Sequence, residues 1–239
     1  MSESLSYRDK QLLRERFPDP QDYAEAIARL AQDEPLAYIL GEWYFYDEVY
    51  TVSPACLIPR PETEHLVEQL IASLPQGGTF ADLCTGSGCV AISVLAHRPD
   101  LTAVAVDLSE DALILAQQNA VRNGVADRVR FRQGDVLTGA FSHEERFDAI
   151  VSNPPYIASD VINTLDAAVR REPHIALDGG PDGLCFYRAL LSAYPKHLKS
   201  GGFLLMEIGY DQGEALRAMG CTVTKDYSGN DRVARYPQK

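Results

Sequence analysis

Asn153-Pro-Pro-Tyr156 is the segment whose residue types point most directly to chemistry. Two prolines fix φ and remove two N–H donors, so carbonyl oxygens are left as the outward polar groups. Asn153 adds an amide oxygen, and Tyr156 a ring beside it. Such a rigid pair of acceptors suits a planar –NH₂ group. The nitrogen of that group is a poor nucleophile, because its lone pair is delocalised. Two accepted hydrogen bonds hold both protons and aim the lone pair at an electrophile, which is catalysis by positioning and electrostatics. Asn153, Pro154 and Tyr156 are the catalytic candidates, with Pro155 beside them as a substrate contact. The bland reading is an ordinary turn after a strand.

A second group lies upstream. Asp82-Leu-Cys-Thr-Gly-Ser-Gly88 closes a short apolar strand and opens a helix. Glycines there let the backbone come close to a ligand, and a helix N-terminus offers free N–H groups. The third glycine of a dinucleotide fingerprint is missing, since Val90 and Ala91 follow Gly88. An acid upstream fits a zwitterionic ligand that carries a cation, and S-adenosylmethionine (SAM) has a sulfonium, an amino group and a carboxylate. Asp107 ends the next strand, where a carboxylate can accept both ribose hydroxyls. Asp135 follows the third strand, where an adenine amino group would lie. The bland reading makes these acids caps or turn residues. Ser109 is the better N-cap after Asp107, which leaves Asp107 free for a ligand.

The elements that must position these groups follow from periodicity. Tyr23 to Ala31 predicts an amphipathic helix. Leu36 to Ile58, crowded with aromatic and β-branched residues, predicts a hairpin, and Pro54, Pro59 and Pro61 interrupt the chain after it. Glu62 to Leu74, Cys89 to His97, Ser109 to Arg122 and Gln212 to Ala218 read as helices, and Gly183 to Lys199 as mostly helical with Pro195 marking a kink or end. Strands are expected at 79–84, 101–107, 129–133, 147–152, 202–208, 222–226 and 233–236. This alternation predicts an α/β, Rossmann-like fold: a mainly parallel seven-stranded sheet with helices on both faces. The expected division is a short helical segment and aromatic hairpin over 1–58, then a catalytic domain over 59–239.

Composition narrows the function. The chain has 239 residues, 46% of them hydrophobic, enough for a large core. Its 22 Lys and Arg face 34 Asp and Glu, a formal net charge of −12, which argues against direct nucleic-acid binding. No apolar run is long enough to span a membrane, and the N-terminus lacks the order of a secretion signal. Five cysteines without a C-x-x-C pair read as reduced thiols in a cytoplasmic protein, with no metal site.

Asp82 to Gly88, Asp107 and Asn153-Pro-Pro-Tyr156 together resemble the class I SAM-dependent amino-group methyltransferases. Within these, Ser53-Pro-Ala-Cys-Leu-Ile-Pro-Arg-Pro-Glu-Thr-Glu64 is similar to a segment of the HemK-type glutamine methyltransferases, which modify the Gly-Gly-Gln glutamine of peptide-chain release factors. The resemblance runs from about Pro35 to the C-terminus, including Gly201 to Gly209 and Asp226-Tyr-x-x-Asn230-Asp-Arg-Val233. It implies SAM bound along Cys84, Thr85, Gly86, Ser87, Gly88, Asp107, Asp135, Val136 and Asn153, and released as S-adenosylhomocysteine. It implies a substrate amide held by Asn153 and Pro154, with Phe45 lining the glutamine pocket and Arg60 and Thr63 in a loop over the cofactor. Phe45 as plain core, and Arg60 paired only with Glu64, remain the alternatives. A DNA or RNA amino-methyltransferase is the rival function. Family members usually carry a longer N-terminal helical region than the roughly thirty-five residues that precede the motifs here. Weaker docking of the protein partner is therefore expected. Oligomeric state is left open.

Overall fold

The computed structural model describes residues 6–237; residues 1–5 and 238–239, the outer ends of the two expected domains, lie outside the described residues. Three short helices come first: α1 (Tyr7–Arg16), α2 (Pro20–Leu30) and α3 (Leu36–Leu40). Asp19 caps α2 by accepting from the N–H groups of Gln21 and Asp22, with Pro20 in the first turn. Leu13, Ala26, Ile39 and Leu40 form a small core among the three helices. Only α2 has a counterpart in the sequence reading. α1 is polar almost throughout and buries Leu13 alone, so it carries no apolar period. α3 is a five-residue turn of helix inside the stretch read as a hairpin, and it stops at Gly41 with φ of +76°.

The antiparallel pair β1 (Glu42–Phe45) and β2 (Glu48–Thr51) follows. The main domain then runs α4 (Glu64–Ser73), β3 (Thr79–Leu83), α5 (Cys89–His97), β4 (Thr102–Asp107), α6 (Glu110–Arg122), β5 (Val129–Gln133) and β6 (Phe147–Ser152). After a long loop come α7 (Cys185–Ala193), β7 (Leu198–Glu207), α8 (Gly213–Ala218), β8 (Thr222–Lys225) and β9 (Asp231–Pro237). The seven-stranded sheet has the order β5-β4-β3-β6-β7-β9-β8. Pairings from β5 through β7 are parallel, and β9 is antiparallel to both of its neighbours. The mostly helical stretch over 183–199 ends just before Pro195, the residue read as its kink or end. Pro195 cannot continue α7, a 3₁₀ turn takes over, and β7 already begins at Leu198.

β3 is buried from Phe80 onward, as a central parallel strand covered on both faces must be. One face packs against α4, α5 and the hairpin residues Phe45 and Tyr50; the other packs against α7 and α8. The hairpin thus shares the core of the sheet. Gly88 lets α5 lie close to α6, because a Cβ there would sit 2.8 Å from Ile92 Cδ1 and 3.2 Å from Ala116 Cβ. Among the described residues no helix is long and apolar enough to cross a membrane.

Candidate active site

The chain winds outward from β3 through β4 to β5, then returns to β6 on the other side of β3. Strand order therefore reverses at β3, and a crevice opens beyond the carboxyl ends of the strands at such a point. A cavity of about 510 Å³ lies there. Cys84, Thr85, Gly86 and Ser87 line it after β3, Asp107 and Leu108 at the end of β4, Gly134 to Leu137 after β5, and Asn153 and Pro155 after β6. The segment Pro54 to Arg60 and Thr63 close one side, and Pro173, Ile175, Ala176 and Phe186 another.

Backbone shapes the β3 side. Cys84, Gly86 and Gly88 have φ of +59°, +55° and +82°. A non-glycine residue in that region is costly, and such outliers cluster at ligand sites. The turn is lashed to the next strand: Thr85 N–H donates to Val106 O at 3.0 Å, and Gly86 N–H donates to Asp107 Oδ2 at 2.8 Å. Ser109 does cap α6, accepting from Ala112 N–H. Asp107 is nevertheless not left free, because its other oxygen accepts from Ser109 N–H at 2.9 Å. This corrects the expectation of an uncommitted carboxylate. The reason is local, since an Asp two residues before a helix start readily closes an Asx turn. Each oxygen still has acceptor capacity toward the cavity. Burial raises the Asp107 carboxyl against the lowering effect of the Ser109 and Gly86 N–H groups.

Asp82 is 1% exposed and accepts from Thr85 Oγ1 at 2.6 Å and Ala91 N–H at 3.3 Å. Burial pushes its carboxyl up to about 7, against the pull of those two donors. Asp135 accepts from Leu137 N–H at 2.8 Å, so it also orders its own turn while lining the cavity. Ser87 Oγ is buried with no hydrogen-bond partner among the described residues, a polar atom at the cavity wall that a ligand could satisfy. Carboxylates at two strand ends, apolar walls and this orphan hydroxyl fit an adenosine-bearing cofactor. Gly88 is not in the lining; its place is the α5–α6 contact.

Side chains shape the β6 side. Asn153 Nδ2 donates to Thr63 Oγ1 at 3.1 Å, and Thr63 Oγ1 donates to Glu207 Oε2 at 2.6 Å. The other carboxylate oxygen accepts from Tyr156 Oη at 3.4 Å. Burial raises the Tyr156 hydroxyl. Asn153 and Pro155 face the cavity, whereas Pro154 is buried and neither it nor Tyr156 is in the lining. Gln212 Nε2 holds the Tyr156 carbonyl at 2.9 Å, which pins the loop from below.

Phe45 is 2% exposed, stands edge-on to Tyr50 and lies outside the cavity lining. Alternation along β1 turns Tyr44 to solvent and Phe45 inward, where it packs in the core. Arg60 pairs with Glu172, not with Glu64, whose Oε1 accepts from Tyr46 N–H. Glu172 also accepts from Ile58 N–H at 3.0 Å and ties the Pro54–Arg60 segment to the loop after β6. Sequence reasoning missed Glu172 and Glu207. Glu207 sat in a quoted apolar motif, where a lone carboxylate among Phe, Leu, Met and Ile was the available signal. Glu172 offered none.

The methyltransferase small domain family matches residues 61–172. A release factor glutamine methyltransferase of Neisseria gonorrhoeae is 44% identical over 225 residues, which are 90% of this chain and 82% of the relative. One from Caulobacter vibrioides is 41% identical over 234 residues, 94% of this chain and 79% of the relative. Among solved structures, a methyltransferase from Pyrococcus furiosus superposes with a TM-score of 0.60 at 19% identity, over 90% of this chain and 98% of that one; this likeness shows the fold alone.

Proposed function

The chain belongs to the release factor glutamine methyltransferase family, and on that premise we propose that it methylates the side-chain nitrogen of the Gly-Gly-Gln glutamine in peptide-chain release factors. It is a SAM-dependent methyltransferase. When bound, SAM supplies an electrophilic methyl group on its sulfonium and leaves as S-adenosylhomocysteine. Cys84, Thr85, Gly86, Ser87, Asp107, Asp135 and Val136 would hold it, with Asp107 accepting from ribose hydroxyls through its remaining lone pairs.

The observation that carries the reading is the Asn153 amide. Its nitrogen is turned to Thr63, which leaves its oxygen as the end that accepts a proton of the substrate amide. The Pro154 carbonyl is the second acceptor in this reading, and Pro155 forms a rigid wall. No strong base is needed before transfer, because restricting the amide aims its lone pair. Residues 1–58 serve partner docking and 59–239 the transfer itself. A cytoplasmic location fits five free cysteines and a substrate of the translation machinery. The net charge of −12 weighs against nucleic acid as the direct substrate.

A side-by-side assay with labelled SAM tests this. Transfer to a release factor and not to its Gln→Ala variant, nor to DNA or RNA, is expected. Transfer to nucleic acid, or to the Gln→Ala factor at the wild-type rate, overturns it.

A further inference from the structure

We propose that Thr63 and Glu207 are positioning residues for this reaction, fixing which end of the Asn153 amide faces the cavity. The inference rests on the functional reading above for its consequence, though not for its geometry. Thr63 and Glu207 are 2% and 1% exposed, so water does not compete for either. A hydroxyl has one proton to give. At 2.6 Å from Glu207 Oε2, the Thr63 proton is committed to the carboxylate. Thr63 Oγ1 can then only accept from the group 3.1 Å away, and of the two ends of the Asn153 amide only nitrogen can donate. The flipped amide would set two lone pairs against each other inside a buried site, leaving an acceptor unpaired at a cost of about 1–3 kcal/mol. It would also present N–H groups to a substrate –NH₂ that needs acceptors.

The polarity starts at the carboxylate. Burial pushes Glu207 up to about 7; Thr63, Arg232 and Tyr156 draw it down, and Glu62 pushes it further up. Above that pH it is charged and only accepts. Arg232 explains the otherwise unused C-terminal motif. Its Nε bonds Asp226 at 3.2 Å and its Nη1 the Ile208 carbonyl at 3.3 Å, which anchors a cation beside the Glu207 strand end. The hairpin from β8 to β9 thus supports a carboxylate, the carboxylate a hydroxyl, and the hydroxyl the catalytic amide.

The test uses the full chain at pH 8 with Thr63→Val, Thr63→Ser and Glu207→Gln, a release factor, and labelled SAM. Thr63→Val should lower kcat about tenfold or more, less than the ~10²–10³ of removing a group that itself contacts the reacting centre. SAM affinity by calorimetry should change less than kcat, since valine keeps the shape of Thr63 at the cavity wall. Thr63→Ser keeps the hydroxyl and should recover most of the turnover. The Asn153 side-chain amide resonances, assigned with Asn153→Asp, should shift in Thr63→Val and Glu207→Gln and stay in place in Thr63→Ser. Wild-type kcat in Thr63→Val, or unmoved Asn153 resonances in both variants, overturns the proposal. If wild-type protein methylates no glutamine, the functional reading fails instead, while the resonances still decide the amide's orientation.

Discussion

At the ends of β3 and β4 the cavity is made by backbone: three left-handed residues between Cys84 and Gly88, and an Asp107 carboxylate that gathers N–H groups from Gly86 and Ser109. At the end of β6 it is made by side chains, and each link spans the fold. Asn153 reaches Thr63 across 90 residues, Thr63 reaches Glu207 across 144, and Tyr156 reaches Glu207 across 51. The backbone half can hold a cofactor with its own turns. The side-chain half depends on β7 and the segment before α4 both being in place. Binding and turnover should therefore fail separately.

The sharpest break comes at Asn153. Asn153→Ala should reduce turnover by about 10²–10³, the usual loss for one aligned polar group at a reacting centre. Melting temperature should change little, since Asn153 makes a single side-chain bond. Near-normal turnover in steady-state kinetics would remove the acceptor-pair mechanism. Asp107→Ala is the counterpart on the other half. It should weaken SAM binding by about 1–3 kcal/mol, the scale of charge-assisted hydrogen bonds, with kcat at saturating SAM largely kept. Unchanged affinity by calorimetry in a folded variant would take Asp107 out of the ribose site.

The two halves were not equally legible. All seven strands of the sheet and the N-cap of α6 followed from apolar runs, periodicity and turn chemistry, because each depends on neighbours in sequence. Cys84 to Ser87, Asp107, Asp135, Val136 and Asn153 could be placed at strand ends for the same reason. The commitment of Asp107 to two backbone donors was missed, although an Asx turn was written in Asp-Leu-Ser. α1 was invisible because it fully buries one residue, Leu13, and carries no apolar period. Glu207, Glu172 and the Asn153–Thr63 bond depend on crossings that no local spacing encodes. Phe45 is a different case: family likeness suggested its role, and strand alternation accounts for its burial.

That burial yields a smaller prediction. Phe45→Leu should cost about 1 kcal/mol of stability by denaturant unfolding, within the common range for core changes. Its kcat should stay at the wild-type value. A selective loss of turnover without a loss of stability would return Phe45 to the pocket.

A further effect concerns the charge under the side-chain half. Glu207 lies at about 7 in the folded protein, above its ordinary value of 4.5. Between these values the folded state binds a proton that the unfolded chain does not, so the contribution of this group falls as pH rises through that window. Asp82 acts in the same direction, also from about 7. Glu207→Gln should flatten part of the fall in stability between about pH 4.5 and 7 and leave the share of Asp82. An unaltered pH profile would mean that the carboxyl does not titrate there.

The central claim is that Asn153 and the Pro154 carbonyl present acceptors to a side-chain amide. Mass mapping of a release factor after incubation with the enzyme and SAM tests it most directly. A single added methyl on the side-chain nitrogen of the Gly-Gly-Gln glutamine, absent when Asn153→Ala replaces the wild type over the same interval, is the predicted result. A methyl found on a carboxylate, on a lysine or on no residue of the factor would contradict it.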